Sequence, residues 1–556
     1  MRLPGARVFV DCLKREGVDV VFGYPGGVVL KIYDILYEQE IKHILVRQEH
    51  AAVHAADGYA RASGKVGVCL ATSGPGATNI VTGIATAMMD SIPMVAFTGQ
   101  VATQALGKDA FQEADLLGIT MPIVKHSYLV RDVKDLPRVI KEAFYIARTG
   151  RPGPVLIDIP KDVTIEELDY EPVDKIDLRG YKPTRHGHPR QISNAAEAIT
   201  KAERPVLYVG GGVISAGAAP ELLELATRLN IPVTTTLLGK GAFPENHPLS
   251  LGMLGMHGSV YANYSVNDCD LLIAVGARFD DRVTGKVESW SVGSKKIHID
   301  VDPAEIGKTV ETAIPIVGDA RLVLKALNEV LSPKQHPEWL AQIASWREKY
   351  PLHYKQQPDQ IMPQFVIEQL YAATEGKAYL TTDVGQHQMW AAQYYKCSFP
   401  RQFASSGGLG TMGYGLPAAI GVQVARPNDT VLSIVGDGGI QMNIQDLITA
   451  VEQKLPLKIC IVNNRYLGMV RQWQSLFYGG RLSSVDLSLQ PDFVKLADAY
   501  GALGWRIDRT EDVRPAIDRA LAVNDKPVIL DFWVAREENV MPMVPSGGSI
   551  DELMIE

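Results

Sequence analysis

Cysteine is scarce in this chain. The five that occur, Cys12, Cys69, Cys269, Cys397 and Cys460, are scattered and form no CxxC pair. Such spacing indicates neither a zinc site nor a disulfide framework, and reads as reduced, mostly buried thiols in a cytoplasmic protein. Basic runs are missing too, and the formal net charge is −8. General nucleic-acid binding is disfavoured, because a phosphate backbone needs a concentrated basic surface, although local basic pockets for phosphate groups stay open. No apolar stretch reaches the roughly 20 residues of a membrane helix, so no membrane partner is expected. The N-terminus lacks a basic segment followed by a long apolar run, hence no secretory signal is visible. Patterned sequence from Gly5–Val10 onward leaves no room for a long transit peptide. Low-complexity tracts and short repeats are absent as well.

What fills the 556 residues is a recurring unit: a short apolar strand, a glycine-rich turn, a helical stretch. Val18–Phe22 precedes Gly23-Tyr24-Pro25-Gly26-Gly27, and Val66–Ala71 precedes Ser73-Gly74-Pro75-Gly76. Val206–Val209 leads into Gly210-Gly211-Gly212, Leu271–Val275 into Gly276, and Val431–Val435 into Gly436-Asp437-Gly438. Continuous apolar strands alternating with helices signal βαβ units and parallel sheets buried on both faces. Ligands of such sheets sit at the strand carboxyl ends, where these glycine turns lie. Two polar, proline-bearing joints, Glu166–Arg190 and Ser332–Met362, divide the chain. The predicted fold is α/β, with three doubly wound parallel-sheet domains at roughly 1–165, 190–332 and 362–540. A tail, 541–556, carries Val544-Pro545-Ser546-Gly547-Gly548 and reads as mobile.

The sharpest motif is Gly436-Asp437-Gly438, with Asn464 placed 27 residues after the aspartate in Cys460-Ile461-Val462-Asn463-Asn464. Asp437 sits just past a strand end, where its carboxylate can bind a hard cation. The flanking glycines let the backbone approach a phosphate closely. A helix expected near Asn443 would add amides that favour an anion, and Leu457–Val462 returns as the next strand. Asp437, Asn464 and one backbone carbonyl leave room for two diphosphate oxygens in a near-octahedral Mg²⁺ shell. A lone Gly-Asp-Gly is also an ordinary strand–turn–helix junction; the asparagine at this distance makes it specific.

These residues resemble the signature of the thiamine-diphosphate enzymes. The resemblance makes the Tyr466 carbonyl the third metal ligand and puts Gly436, Gly438 and Gly439 against the coenzyme. Val384-Gly385-Gln386-His387 is similar to the family's other diphosphate-side turn, which makes Gln386 and His387 candidate phosphate contacts; taken alone it is a polar turn after a strand at Ala378–Leu380. The segment from Val46 to Arg61 holds Glu49 before a run of small residues. On its own Glu49 is a helix-start charge that suits the helix dipole. The resemblance makes it the glutamate that hydrogen-bonds the aminopyrimidine ring, so that the coenzyme's amino group can act as base. In the family a bulky apolar side chain bends the coenzyme. Gly408-Leu409-Gly410-Thr411-Met412-Gly413 matches that region, with Gly410 and Met412 as contacts. His50 and His54, four residues apart, read as packing rather than as a metal site.

Within this family the chain resembles acetohydroxyacid (acetolactate) synthase catalytic subunits over nearly its whole length. The distinctive blocks are Leu254-Gly255-Met256-His257-Gly258 and Gly276-Ala277-Arg278-Phe279-Asp280-Asp281-Arg282-Val283-Thr284-Gly285. The three domains then become pyrimidine-binding, Rossmann-like FAD-binding and diphosphate-binding. The residues matching flavin contacts are Arg151, Gly210, Gly211, Gly212, Thr236, Leu237, Leu254, Gly255, Met256, His257, Gly276, Arg278, Asp300 and Asp319. Gly210-Gly211-Gly212 is not a full GxGxxG, so the local dinucleotide signal is weak. Gln112, Gly27 and Lys161 match substrate-side groups, and Trp473 matches the tryptophan that favours 2-ketobutyrate as second substrate.

The implied reaction decarboxylates pyruvate and joins it to a second 2-ketoacid, on the way to branched-chain amino acids. The implied cofactors are thiamine diphosphate, Mg²⁺ and FAD. The implied partners are further copies, as homodimer or homotetramer, and a small regulatory subunit. Two alternatives stand beside this reading: another flavin-containing relative such as pyruvate oxidase, and a non-catalytic scaffold, which would have no need of Glu49, Asp437 and Asn464 together.

Overall fold

The computed structural model describes residues 2–38 and 41–555. The apolar runs form three six-stranded sheets, each wholly parallel. The N-terminal sheet runs Lys42–Leu45, Val20–Gly23, Gly67–Ala71, Met94–Gln100, Pro154–Pro160, His126–Leu129. The C-terminal sheet runs Phe403–Ser405, Tyr379–Thr382, Val431–Gly436, Lys458–Asn463, Val528–Trp533, Leu503–Ile507. Counted along each domain, both have the strand order 2-1-3-4-6-5, so the rhythm shared by the two ends of the chain is a shared topology. The middle sheet runs Ser250–Met253, Val233–Thr235, Pro205–Val209, Leu271–Val275, Lys295–Asp300, Ile314–Val317, an order of 3-2-1-4-5-6.

In each sheet the chain changes direction beside its first strand, and the turns after the two strands flanking that point diverge into a crevice. The turn pairs are Tyr24–Gly27 with Thr72–Gly76, Gly210–Gly212 with Gly276–Arg278, and Asp383–Gly385 with Asp437–Gly439. The glycine turns of the recurring strand–turn–helix unit belong to these pairs.

Small residues join the outer domains. The Glu49–Ser63 helix crosses the Gly415–Ala425 helix so closely that a Cβ on Gly421 would lie 1.8 Å from the Ala55 carbonyl oxygen, and one on Gly58 2.2 Å from that of Ala418. All five cysteines are free and buried, and no helix of the described residues is long and apolar enough to cross a membrane.

Two expectations need correction. The tail is docked, not loose: the Val544 amide donates to the Met256 carbonyl, the Lys286 amide to that of Gly548, and Met543 pairs with Met554 in an isolated bridge. Ser332–Met362 is no bare linker, since its Pro337–Lys349 helix buries Trp339 and Ile343 against the middle domain. The helix expected near Asn443 is present, as a 3-10 turn Ile444–Asp446 capped at Asn443 and running into Leu447–Glu452; a further short turn, Asp437–Ile440, starts at Asp437 itself, and the Asn443 side-chain amide donates to the Gly413 carbonyl.

Asp158 lies inside the N-terminal sheet, accepting from Thr98 Oγ1 (2.6 Å) and Gln100 Nε2 (2.9 Å). Burial outweighs these bonds and pushes its carboxyl up to about 7. A raised carboxyl favours the fold below the unfolded value near 4 and loses that contribution as pH rises through about 7. Asp158→Asn is therefore expected to narrow the gap between the thermal midpoints at pH 5 and pH 8. A gap as wide as in the unchanged chain would contradict the assignment.

Candidate active site and cofactor pocket

The C-terminal crevice is built from two adjacent strand ends. Gly436 pairs with Val462 in register, so Asp437 and Asn464 leave neighbouring strands side by side. Asp437 is buried, and its Oδ2 has no hydrogen-bond partner among the described residues. Burial pushes its carboxyl up to about 7, against a lowering pull from the Arg465 backbone. An unpartnered buried carboxylate at a strand end is what a hard cation would satisfy. Asn464 Oδ1 accepts the Tyr466 amide (3.1 Å), closing the turn that carries all the expected metal ligands after Asp437. Among the described residues no cluster of three or more His, Cys, Asp or Glu could hold a metal, so a cation here depends on Asp437 with amide and carbonyl oxygens.

Gln386 lies in the other diphosphate-side turn. Its side chain is buried and committed within the protein: Oε1 accepts from Asn464 Nδ2 (3.0 Å), and Nε2 donates to Gln472 Oε1 (2.8 Å) and the Glu538 carbonyl (3.0 Å). It orients Asn464, and its backbone opens the Gln386–Tyr394 helix. His387 stands between the two turns, its ring 2.9 Å from where a Gly436 Cβ would sit and 3.0 Å from a Gly385 Cβ. Burial lowers it to about 4, and its Nε2 lacks a partner among the described residues. The ring's other nitrogen serves the Asp383 backbone, so the free Nε2 of the neutral imidazole is an acceptor and would donate to an anion's oxygen only once the ring is protonated. The Met412 methyl lies within 3.8 Å of a Cβ placed on Gly438.

Sequence reasoning missed Asp383. This buried carboxylate ties the turns together, accepting the amides of Val384 (2.7 Å), Gly413 (3.0 Å) and Gly415 (3.4 Å). Its place at the end of the Tyr379–Thr382 strand was the available signal. Gln472, which holds Val540 through both the amide and carbonyl of that residue, left none.

The N-terminal crevice gathers Gly27, Glu49 and Gln112. Glu49 opens its helix and accepts from Asn79 Nδ2 (2.9 Å). A Cβ on Gly76 would touch its Oε1 at 3.3 Å, and one on Gly74 would strike Gln112 at 2.8 Å. Gln112 itself has φ of 62°, in a loop braced by Glu113, which accepts the amides of Gly107 and Ala110. Gly27 has open space beside it, for a Cβ there would meet nothing within 4 Å. Lys161 is exposed at the head of the Lys161–Ile165 helix, directly after the Pro154–Pro160 strand, and so on the same sheet edge. His54 is buried with both ring nitrogens unpartnered among the described residues and is pushed down to about 3 by burial; it stacks edge-on with Tyr414, a packing role.

The middle crevice opens a cavity of about 910 Å³. Its walls include Gly210, Gly211, Gly212 and Gly276 at the switch point, with Thr236 and Leu237 on the next turn. Leu254, Met256, His257 and Arg278 form a second side, and Arg151, Asp300 and Asp319 a third. Gly255 is set back from it, its amide bonded to Asn263 Oδ1 (2.8 Å). Close approach explains the glycines: a Cβ on Gly210 would sit 2.1 Å from the Gly276 oxygen. The cavity continues to Val384, Gly385, Gly410, Met412 and Trp473, while Gly27, Glu49 and Gln112 lie outside its walls. Its size is at the upper end of the usual 300–1,000 Å³ of ligand pockets, roughly.

Comparison with known proteins finds three family domains along the chain. Residues 3–119 match the N-terminal TPP binding domain of the thiamine pyrophosphate enzymes, 192–327 their central domain, and 383–532 their C-terminal TPP binding domain. An acetolactate synthase of Arthrospira platensis is 52% identical, covering 100% of this chain and 98% of its own. The acetolactate synthase isozyme 3 large subunit of Escherichia coli (strain K12) is 50% identical at 100% and 98% coverage. A probable acetolactate synthase large subunit of Methanocaldococcus jannaschii is 51% identical at 99% and 95%.

Proposed function

Because this chain belongs to the thiamine pyrophosphate enzymes, as a member of their acetolactate synthase large subunits, we propose that it completes its active site between two copies. Its activity is the thiamine-diphosphate-dependent decarboxylation of pyruvate and joining to a second 2-ketoacid. In the proposed arrangement the Glu49 crevice of one copy faces the Asp437 crevice of the other. The observation that carries this is the split itself: the cavity reaching Met412 has none of Gly27, Glu49 or Gln112 in its walls. Exposed apolar side chains on both sides support it, Phe111 (88%) and Met121 (71%) near the first crevice, Leu409 and Met442 near the second.

Asp437, Asn464 and the Tyr466 carbonyl would hold Mg²⁺. The amides of Gln386 and His387, the His387 ring and the Gly436–Gly439 turn would take the diphosphate, with Val384, Gly385 and Gly410 closing around it. The coenzyme supplies a nucleophilic carbon and an electron sink for decarboxylation. Glu49 would hold a proton at the coenzyme's ring, Met412 would pack against the coenzyme, and Gln112, Gly27 and Lys161 would line the approach of the ketoacids. The large cavity suits FAD, with the glycines of the switch point against its phosphates. The words "large subunit" in the relatives' names support a smaller regulatory partner, and the scattered free cysteines support a cytoplasmic setting.

Purified chain is expected to be yellow and to form acetolactate and carbon dioxide from pyruvate only with thiamine diphosphate and Mg²⁺. Hydrogen peroxide or acetyl phosphate under oxygen would favour an oxidase instead. Trp473 lines the cavity with the Arg282 guanidinium 5.8 Å above its ring. A flat apolar wall rewards one extra methylene by about 1–3 kcal/mol. Trp473→Leu is therefore expected to lower the preference for 2-ketobutyrate over pyruvate about tenfold or more; an unchanged product ratio under competition would remove Trp473 from the specificity pocket.

A further inference from the structure

Gly410 and Met412 lie on a segment, Gly407 to Gly413, that belongs to no helix or strand. Much of what holds it comes from another domain. Asp90, at the end of the Val81–Asp90 helix of the N-terminal domain, accepts the Gly408 amide on Oδ1 (2.7 Å) and the Gly407 amide on Oδ2 (3.1 Å). Thr86, one turn earlier, shares a 2.7 Å hydroxyl–hydroxyl bond with Thr411. Asp90 is itself held by Arg61 Nη2 (2.7 Å), whose Nε reaches Asp57 (2.6 Å), and Asp57 accepts from Tyr414 Oη (2.5 Å) just beyond the segment. The Asp57 and Asp90 side chains are fully buried and that of Arg61 nearly so. The C-terminal domain adds Ser406 Oγ, which accepts the Thr411 amide (2.9 Å), and Asp383, which accepts that of Gly413. A side chain on Gly408 would meet Asp90 Oδ1 at 2.9 Å and Arg278 at 3.2 Å, so close contact with the carboxylate also fixes glycine there.

We propose that Asp90 is a positioning residue for the reaction. Across the domain boundary, its two bonds to the backbone of Gly407 and Gly408 fix the segment and thereby the Met412 side chain. Charged acceptors make the stronger hydrogen bonds, and one carboxylate taking two successive amides leaves the segment little freedom to tilt. Arg61 keeps that carboxylate in place; removing Arg61 would leave two buried negative charges and endanger the fold, so the test falls on Asp90 and Thr86. The inference rests on reading Met412 as the side chain that bends the coenzyme.

The test compares Asp90→Asn, Thr86→Val, Met412→Ala and the double variant Asp90→Asn with Met412→Ala, each as full chain with thiamine diphosphate, Mg²⁺ and FAD. An asparagine can accept only one of the two amides. Misplacement on the ångström scale costs up to about 100-fold, so Asp90→Asn is expected to lower kcat about 10- to 100-fold while the KM for pyruvate barely moves. The near-ultraviolet circular dichroism of bound thiamine diphosphate is expected to change with it. The double variant is expected to lose little more than the worse single one, as coupled sites do. A folded Asp90→Asn with unaltered kcat and dichroism, beside an impaired Met412→Ala, overturns the role of Asp90 alone. A neutral Met412→Ala overturns the reading of Met412, and with it the proposal. Losses that simply multiply in the double variant also overturn it. If Asp90→Asn fails to fold, Thr86→Val decides: a severalfold fall in kcat with the dichroic change supports the clamp, and an unchanged enzyme refutes it.

Discussion

Glu49→Gln is expected to lower acetolactate formation by about 10²- to 10⁴-fold, the usual weight of a positioned acid–base group, and to leave the chain folded. The carboxylate enters no ion pair among the described residues. It is half-buried at the head of its helix, and the side-chain contact it makes there is the Asn79 amide, which a glutamine oxygen can equally accept. Substitutions at such positions usually stay within about 0.5 kcal/mol. What glutamine cannot do is hold and release a proton. The loss should therefore appear in kcat, with thermal midpoint and circular dichroism of the protein unmoved. Turnover within threefold or so of the unchanged enzyme, well outside the range for a lost acid–base group, would remove Glu49 from the mechanism.

Asp437→Asn is expected to have an equally large effect with a different signature. In the chain alone the Asp437 carboxylate is buried, held up at about 7 by that burial, and unpartnered on Oδ2 among the described residues. Removing its charge should leave the metal-free protein as stable as before, or more so. The unchanged chain, by contrast, should gain stability when Mg²⁺ and thiamine diphosphate are added, by about 2.7 kcal/mol at a hundredfold excess over Kd. Asp437→Asn should lose most of that gain, and its activity at fixed Mg²⁺ should fall about 100-fold or more, since even the groups supporting a ligand are worth 10- to 100-fold. Scanning fluorimetry with and without the two cofactors reads this directly. An equal thermal shift in both proteins would show that the carboxylate is not the metal ligand.

What could be read from the sequence was what local pattern controls. Leu271–Val275 is apolar throughout because both faces of a parallel sheet are covered, and it is the strand found. Gly210 and Gly276 are glycines because two turns touch at a switch point, and that contact announces itself as residue type. Partners far apart in the chain left no such trace. Gln386 is bonded to Asn464 across 78 positions and to Gln472 across 86, and its polar turn announced neither bond. Val544–Gly548 looked mobile because its composition is that of a loop, whereas its order comes from bonds to Met256 and Lys286. Ser332–Met362 misled for the same reason, since two apolar residues, Trp339 and Ile343, suffice to dock a short helix. Asp90 stayed hidden as an ordinary helix-end carboxylate until the Gly407–Gly413 segment was seen against it.

The central claim is that one coenzyme is served by Glu49 of one copy and Asp437 of another, and a complementation measurement tests it most directly. Glu49→Gln and Asp437→Asn chains, each nearly inactive alone, are co-expressed with different tags and purified together. In a dimer of the two, one site carries both changes and the other carries neither. Random pairing then restores about a quarter of normal activity, because half of the dimers of this two-fold assembly are mixed and each has one intact site. Mixed dimers that form and remain as inactive as their parents would place Glu49 and Asp437 in the same chain's site and contradict the account.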